Sequence, residues 1–210
     1  MDHRTPLLID SHGRILRDLR VSVTDRCDFR CLSCLPETEA AANSYRDPWA
    51  KVVNSTPIAR PWKLKSKILT FEKLERFVRL AVGLDIQKVR LTGGEPLLRH
   101  ELEILVERPA AISGIADLAM TSNGFLFPQK GKALRDAGLR RITFSCDSLD
   151  RANFQKMTGR DGLHEVLESI RLAQELGLVV WSNALNGSIC KQLRRARIAR
   201  KRVRWFNLSR

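Results

Sequence analysis

Apolar residues along the chain switch between two periods. Leu19, Val21 and Val23 recur at every second position within Arg17–Thr24, which predicts a first strand with one buried face. Beyond Thr70 the period lengthens. Phe71, Leu74, Phe77, Val78 and Val82 fall at helical spacing between an N-cap at Thr70 and a stop at Gly83. The alternation then repeats. Lys88–Thr92 predicts a strand ending in Gly93-Gly94, Glu101 to about Ala111 a helix, and Ile115–Met120 a strand. Lys130–Ala137 predicts a helix closed by Gly138, Arg141–Ser145 a strand, Gly162–Leu176 a helix closed by Gly177, and Leu178–Trp181 the start of a fifth strand. Strands alternating with helices imply parallel βαβ units.

Two stretches escape this rhythm. Residues 1–14 are polar and mixed, with a turn predicted at Ser11-His12-Gly13. Residues 37–67 hold only a short alanine run and are punctuated by Pro48, Pro57 and Pro61, so an irregular, disordered connection is expected there.

Composition narrows the class. At 210 residues with 43% apolar content, one domain with a real core is expected, spanning 1–182. No apolar run approaches the ~18 residues of a membrane span. The charged N-terminus lacks the apolar core of a secretory signal, so a reducing cytoplasmic setting is the expectation. The net charge of +14 is uneven. Nine of the 37 Lys and Arg lie between Asn183 and Arg210, where there is no Asp or Glu, leaving 28 basic and 23 acidic side chains in 1–182. Residues 183–210 therefore read as a basic tail, a solvated cationic helix or coil, with nucleic-acid or anionic-membrane binding open on charge alone.

The candidate chemistry lies just past the first strand. Cys27, Cys31 and Cys34 place three of the five cysteines within eight residues, at C-x3-C-x2-C spacing. Three thiolates on one short loop can converge on a metal centre, and three is one too few for a closed structural zinc site. The set suits an iron–sulfur cluster with one iron left open. A zinc site completed by a distant His is the alternative. His3, His12, His100 and His164 show no ligand spacing and are expected at the surface, while Cys146 reads as a buried spectator thiol.

Arg20-Val21-Ser22-Val23-Thr24-Asp25-Arg26-Cys27 and the triplet it leads into resemble the opening of radical S-adenosylmethionine enzymes. Together with Leu91-Thr92-Gly93-Gly94-Glu95-Pro96, Thr121-Ser122-Asn123-Gly124 and Ser145-Cys146-Asp147-Ser148-Leu149-Asp150, the chain resembles the molybdenum cofactor biosynthesis protein A (GTP 3′,8-cyclase) family. The resemblance covers about residues 8–36 and 64–180 and implies a partial TIM-type α/β barrel of about five βα units. It implies one [4Fe-4S] cluster on Cys27, Cys31 and Cys34, with S-adenosylmethionine on the open iron and a 5′-deoxyadenosyl radical generated there. Ser33, Gly94 and Ser145 correspond to cofactor contacts, and Arg20, Arg90 and Thr121 to contacts of GTP; Ser145, Thr121, Arg90 and Arg20 are read as lying at strand ends. An electron donor, and a homodimer by analogy with the family, are further implied partners.

This sequence departs from that family in three places. Ser33 stands where an aromatic, commonly Tyr, is usual, and Trp181 where a lysine contacts GTP. About half of residues 37–67 reads as an insertion. The family also continues well past residue 183, so a truncated relative, inactive on GTP, is expected. A radical enzyme on another substrate, or a non-catalytic metal- or nucleic-acid-binding protein, remains the alternative.

Overall fold

The computed structural model describes residues 8–46, 56–59, 61–183 and 204–206. Six parallel strands lie side by side in chain order: β1 (Asp18–Ser22), β2 (Lys88–Thr92), β3 (Asp117–Ser122), β4 (Arg141–Ser145), β5 (Val179–Asn183) and β6 (Arg204–Phe206). Helices α1 (Glu39–Arg46), α2 (Phe71–Val82), α3 (Leu102–Ala110), α4 (Phe127–Asp136), α5 (Arg151–Thr158) and α6 (Leu163–Glu175) fill the crossovers. Sequential parallel order with helical returns is the wiring of a (β/α) barrel. Among the described residues the sheet stays open, as expected for a partial barrel.

The period-2 pattern divides the sheet into two faces. Val21, Leu91, Met120, Phe144 and Val180 point to the helices and form the main core with residues such as Leu74, Leu105 and Ile170. The opposite face carries Arg20, Arg90, Thr121, Arg141, Thr143 and Trp181. Register puts these in rows. Arg20 pairs with Arg90, Arg90 with Ala119 and Ala119 with Arg141, while Thr121 pairs with Thr143 and Thr143 with Trp181.

Local chemistry sets the helix ends. Thr70 caps α2 by accepting from the Lys73 amide at 3.4 Å. α4 begins three residues before the position expected from periodicity, because Pro128 sits in the first turn, where its missing N–H costs nothing.

Three expectations need correction. In the stretch expected to be irregular, Glu39–Arg46 is helical, with Thr38 Oγ1 accepting from the Ala41 amide at 3.1 Å, and Lys65–Lys67 forms a single 3-10 turn. Residues 47–55 and 60 of that stretch lie outside the described residues. A helix absent from the periodicity, α5, is capped by Asp150, which accepts from the Asn153 amide at 2.7 Å, and closed by Gly159 at φ +70°. In the basic tail, Arg204–Phe206 pairs parallel with β5, Trp181 opposite Arg204. The open edge of β5 offers unpaired backbone groups, and Trp205 and Phe206 are strand-favouring residues, so edge pairing prevails over the solvated coil expected from charge. Residues 184–203 and 207–210 of the tail lie outside the described residues.

Candidate cofactor and substrate site

Two loops meet at the C-terminal edge of the sheet. After β1, the Val23 amide donates to Thr92 O at 2.8 Å; the Gly94 amide donates to Thr24 O at 2.8 Å and the Glu95 amide to Arg26 O at 2.7 Å. The loop leading into the cysteines is thus zipped, backbone to backbone, onto Gly93-Gly94-Glu95. The glycines make this possible. Gly93 sits at φ +153°, and a Cβ on either glycine would collide with the backbone of Thr24 or of Asp25–Arg26. The space beside these α-carbons is filled by the chain's own backbone.

The cysteine loop is held from a second side by α5. The amides of Arg30 and Leu32 donate to Thr158 O and Met157 O at 2.7 and 3.0 Å. Asp28, between the first two cysteines, accepts from Asn123 Nδ2 at 2.7 Å and from Arg160 at 3.4 Å, and the Arg160 guanidinium lies 3.9 Å from the centre of the Phe125 ring. Beneath the loop, Phe29, Phe154, Cys146, Leu163 and Val166 form a separate apolar cluster that touches Cys27 and Cys31. An apolar shell of this kind controls solvent access and local dielectric at a metal site.

Glu95 joins the two sides. It is 1% exposed and accepts from the Leu97 amide at 3.0 Å, Ser122 Oγ at 2.9 Å and the Asn123 amide at 2.7 Å. Burial pushes its carboxyl up from 4.5 to about 7, although the three donors oppose the shift. The folded chain therefore keeps a proton that the unfolded chain has released between those two values. Stability falls as pH rises from about 4.5 through about 7, by at most about 3 kcal/mol. Urea midpoints at pH 5 and pH 8 should differ more in the native chain than in Glu95→Gln. Equal pH dependence in both would contradict this assignment.

The thiols fit an iron–sulfur ligand set. Cys27 and Cys31 are half-buried and Cys34 is exposed, all without disulfides, and the Cys34 and Leu35 amides fold back onto Cys31 O. Burial, and then the neighbouring Cys27 and Cys34, push the Cys31 thiol up to about 12; burial also raises Cys27. Three thiolates on one loop repel one another, and a multi-iron cluster, which takes each on a separate iron, offsets that repulsion. Among the described residues, no three His, Cys, Asp or Glu are gathered closely enough to hold a single metal ion. His12, His100 and His164 are exposed, as expected; His3 lies outside the described residues.

The other expected residues divide by position. Ser33 is exposed on the cysteine loop, Gly94 lies on the loop after β2, and Ser145 ends β4. Thr121 is the penultimate residue of β3. Arg20 and Arg90, expected at strand ends, instead sit at the middle of β1 and β2. They and Thr121 face one cavity of about 960 Å³ on the polar side of the sheet, with Arg141 and Trp181 on its far wall. Cys146 is fully buried, as expected of a spectator; Cys190 lies outside the described residues.

Residues 21–188 match the family model described as the Radical SAM superfamily. The chain belongs to the radical SAM superfamily. A radical SAM protein is built around a [4Fe-4S] cluster and S-adenosylmethionine, and the cysteine loop offers the thiols such a cluster requires. Among curated relatives, the GTP 3′,8-cyclase of Xanthomonas campestris pv. campestris is 44% identical over 169 residues, covering 80% of this chain and 45% of that protein. The GTP 3′,8-cyclase of Aquifex aeolicus is 41% identical over 180 residues, covering 85% of this chain and 50% of the relative. The chain thus spans about half the length of the curated relatives it matches. Among solved structures, Streptococcus suis SuiB bound to S-adenosylmethionine superposes with a TM-score of 0.63 at 16% identity, over 92% of this chain and 41% of SuiB. Methylornithine synthase (PylB) superposes with 0.61 at 13% identity, over 97% and 54%. These likenesses establish the radical SAM fold. No helix among the described residues is long and apolar enough to cross a membrane.

Several residues of this candidate site have no assignment from sequence. Asp28, Asn123, Glu95 and Arg160 tie the cysteine loop to β2, β3 and α5. The sequence signals were the polar residues inside otherwise apolar strand ends, above all a glutamate directly after paired glycines.

Proposed function

We propose that this chain is the radical SAM portion of a GTP 3′,8-cyclase-type enzyme of molybdenum cofactor biosynthesis. The supporting observation is that Arg20, Arg90 and Thr121 line one cavity on the polar face of the same strands whose C-terminal ends lead into the loops carrying Cys27, Cys31, Cys34 and Gly94. When bound, the cluster and S-adenosylmethionine supply one electron and a radical that abstracts hydrogen from a substrate held close by. The chain's own residues hold and position. Cys27, Cys31 and Cys34 ligate; the Gly93-Gly94 loop after β2 and Ser145 at the end of β4 orient the cofactor, with Ser33 beside it. Arg20 and Arg90 offer planar guanidinium forks suited to phosphate oxygens, and Thr121 adds a hydroxyl. Phe29 and its apolar neighbours shield the loop from below. A cytoplasmic reductant serves as electron donor, and the family-type homodimer is part of the same reading.

For the 210 residues alone, the proposal separates two activities. Cofactor cleavage needs only the cysteine and glycine loops, whereas cyclisation needs the reacting carbon of GTP held in register, and small misplacements cost orders of magnitude. Anaerobic incubation with dithionite, S-adenosylmethionine and GTP should yield 5′-deoxyadenosine without cyclised product, followed by chromatography. Multiple turnovers of cyclised GTP would contradict the expected inactivity. Absence of 5′-deoxyadenosine from a reconstituted chain would contradict the radical chemistry itself.

A further inference from the structure

The polar face of the sheet holds more buried donors than the proposed contacts use. Arg141, in the same register row as Arg20 and Arg90, is 8% exposed. Its Nη2 is ion-paired with Asp117, and its guanidinium carbon stands 4.3 Å from the centre of the Trp181 ring. Its Nε, also buried, has no hydrogen-bond partner among the described residues. One row further along β4, paired in register between Thr121 and Trp181 of the cavity lining, Thr143 is 1% exposed, and its Oγ1 likewise has no partner among the described residues. Two orphaned polar groups on one strand are costly in a folded chain, and such groups normally await an acceptor.

The charge around them indicates what that acceptor is. Arg20, Arg90 and Arg141 line one cavity. Burial lowers the pKa of Arg90, and the charges of Arg141 and Arg20 lower it further, so the three guanidiniums stand within electrostatic reach of one another. Like charges gathered on one partly desolvated wall are relieved by an anion. Asp18 and Asp117, which also line the cavity, offset part of this charge, and Asp117 does so at Nη2 of Arg141 while leaving Nε open.

We propose that Arg141 and Thr143 are an oxyanion-binding pair on the substrate wall, extending the site of Arg20 and Arg90 to a phosphate group of the substrate. Trp181 holds the guanidinium plane by stacking, Nε–H donates to a phosphate oxygen, and the Thr143 hydroxyl donates to the same group. Asp117 competes for the guanidinium, so it tunes affinity. This inference rests on the reading of a phosphate-bearing substrate and adds residues to it.

The test is anaerobic titration of the reconstituted full chain with GTP, guanosine and inorganic tripolyphosphate, with thermal unfolding as a check of fold. Arg141→Gln should weaken GTP and tripolyphosphate at least about tenfold, Thr143→Val by about three- to tenfold, and both should leave guanosine within about twofold. Asp117→Asn should tighten tripolyphosphate several-fold, which a merely structural ion pair would not do. Adding Trp181→Lys to Arg141→Gln should restore part of the lost affinity by returning a cation to the same wall. Unchanged tripolyphosphate binding in Arg141→Gln and Thr143→Val, beside a clear loss in Arg90→Gln, overturns the pair and leaves the GTP reading standing. Tripolyphosphate binding that depends on Arg141, in a chain that ignores GTP, sustains the pair and overturns the GTP reading. A native chain that binds neither anion overturns the pair. Should Arg141→Gln fail to fold, the Thr143→Val loss and the Asp117→Asn gain decide the question.

Discussion

Anaerobic reconstitution with iron and sulfide should give about four irons per chain, and Cys27→Ala, Cys31→Ala or Cys34→Ala should each reduce this to near zero. The expectation rests on one loop supplying all three thiols, with half-buried Cys27 and Cys31 packed over the apolar cluster of Phe29 and Phe154. A cubane held by only two protein thiolates has two open irons and is lost to chelators. Cys146→Ala is the internal control and should retain full iron. That thiol is fully buried, its Sγ lies 3.5 Å from Ser148 O, and burial pushes it up to about 12, so it stays protonated. About eight irons per chain, or tight zinc without charge-transfer absorbance, would contradict the single-cluster assignment.

Gly94→Ala should be nearly as damaging without touching a ligand. The methyl group would enter the space of the Arg26 carbonyl, and backbone cannot rotate away as a side chain can. Overpacking against side chains costs about 1–3 kcal/mol, and a backbone clash at two hydrogen-bonded loops should exceed that range. To fit, the Gly94 N–H···O Thr24 and Glu95 N–H···O Arg26 bonds must break, which releases the loop that carries the cysteines. The variant should lose iron on gel filtration and unfold at lower urea, whereas Gly13→Ala, with nothing within 4 Å of its added Cβ, should cost only the strain of its φ of +77° and leave iron content unchanged. Native iron content and an unshifted urea midpoint in Gly94→Ala would show that the two loops are not locked together.

Much of this architecture is legible in the chain because its strands are buried on one face and its helices carry clear apolar stripes. Lys88–Thr92 and Arg141–Ser145 are found at the expected bounds, and α2 begins one residue after its Thr70 cap. What escapes is structure stabilised by contacts distant in sequence. α5 has few apolar residues and a weak period, yet it exists because Asp150 caps it and its last carbonyls receive the Arg30 and Leu32 amides of the cysteine loop. β6 was hidden by charge: eight basic residues in 191–205 suggest a solvated coil, while pairing to β5 depends on an edge that no local pattern reveals. The same limit applies to the site. Motif order identified the cysteines and glycines, but Glu95 and Asn123 matter through bonds across three strand ends. Their position before motif loops predicts strand ends for Arg20 and Arg90. Register puts them two residues deeper, on the cavity wall, beside an Arg141 that no motif singled out.

The central claim is that the loop of Cys27, Cys31 and Cys34 holds a cluster with one iron open to S-adenosylmethionine. Electron paramagnetic resonance of the reconstituted, dithionite-reduced chain tests it most directly, recorded with and without that cofactor. The account predicts a [4Fe-4S] signal whose g-values shift on addition of S-adenosylmethionine and which is absent from Cys31→Ala. A signal indifferent to S-adenosylmethionine, or one that persists in Cys31→Ala, would contradict it.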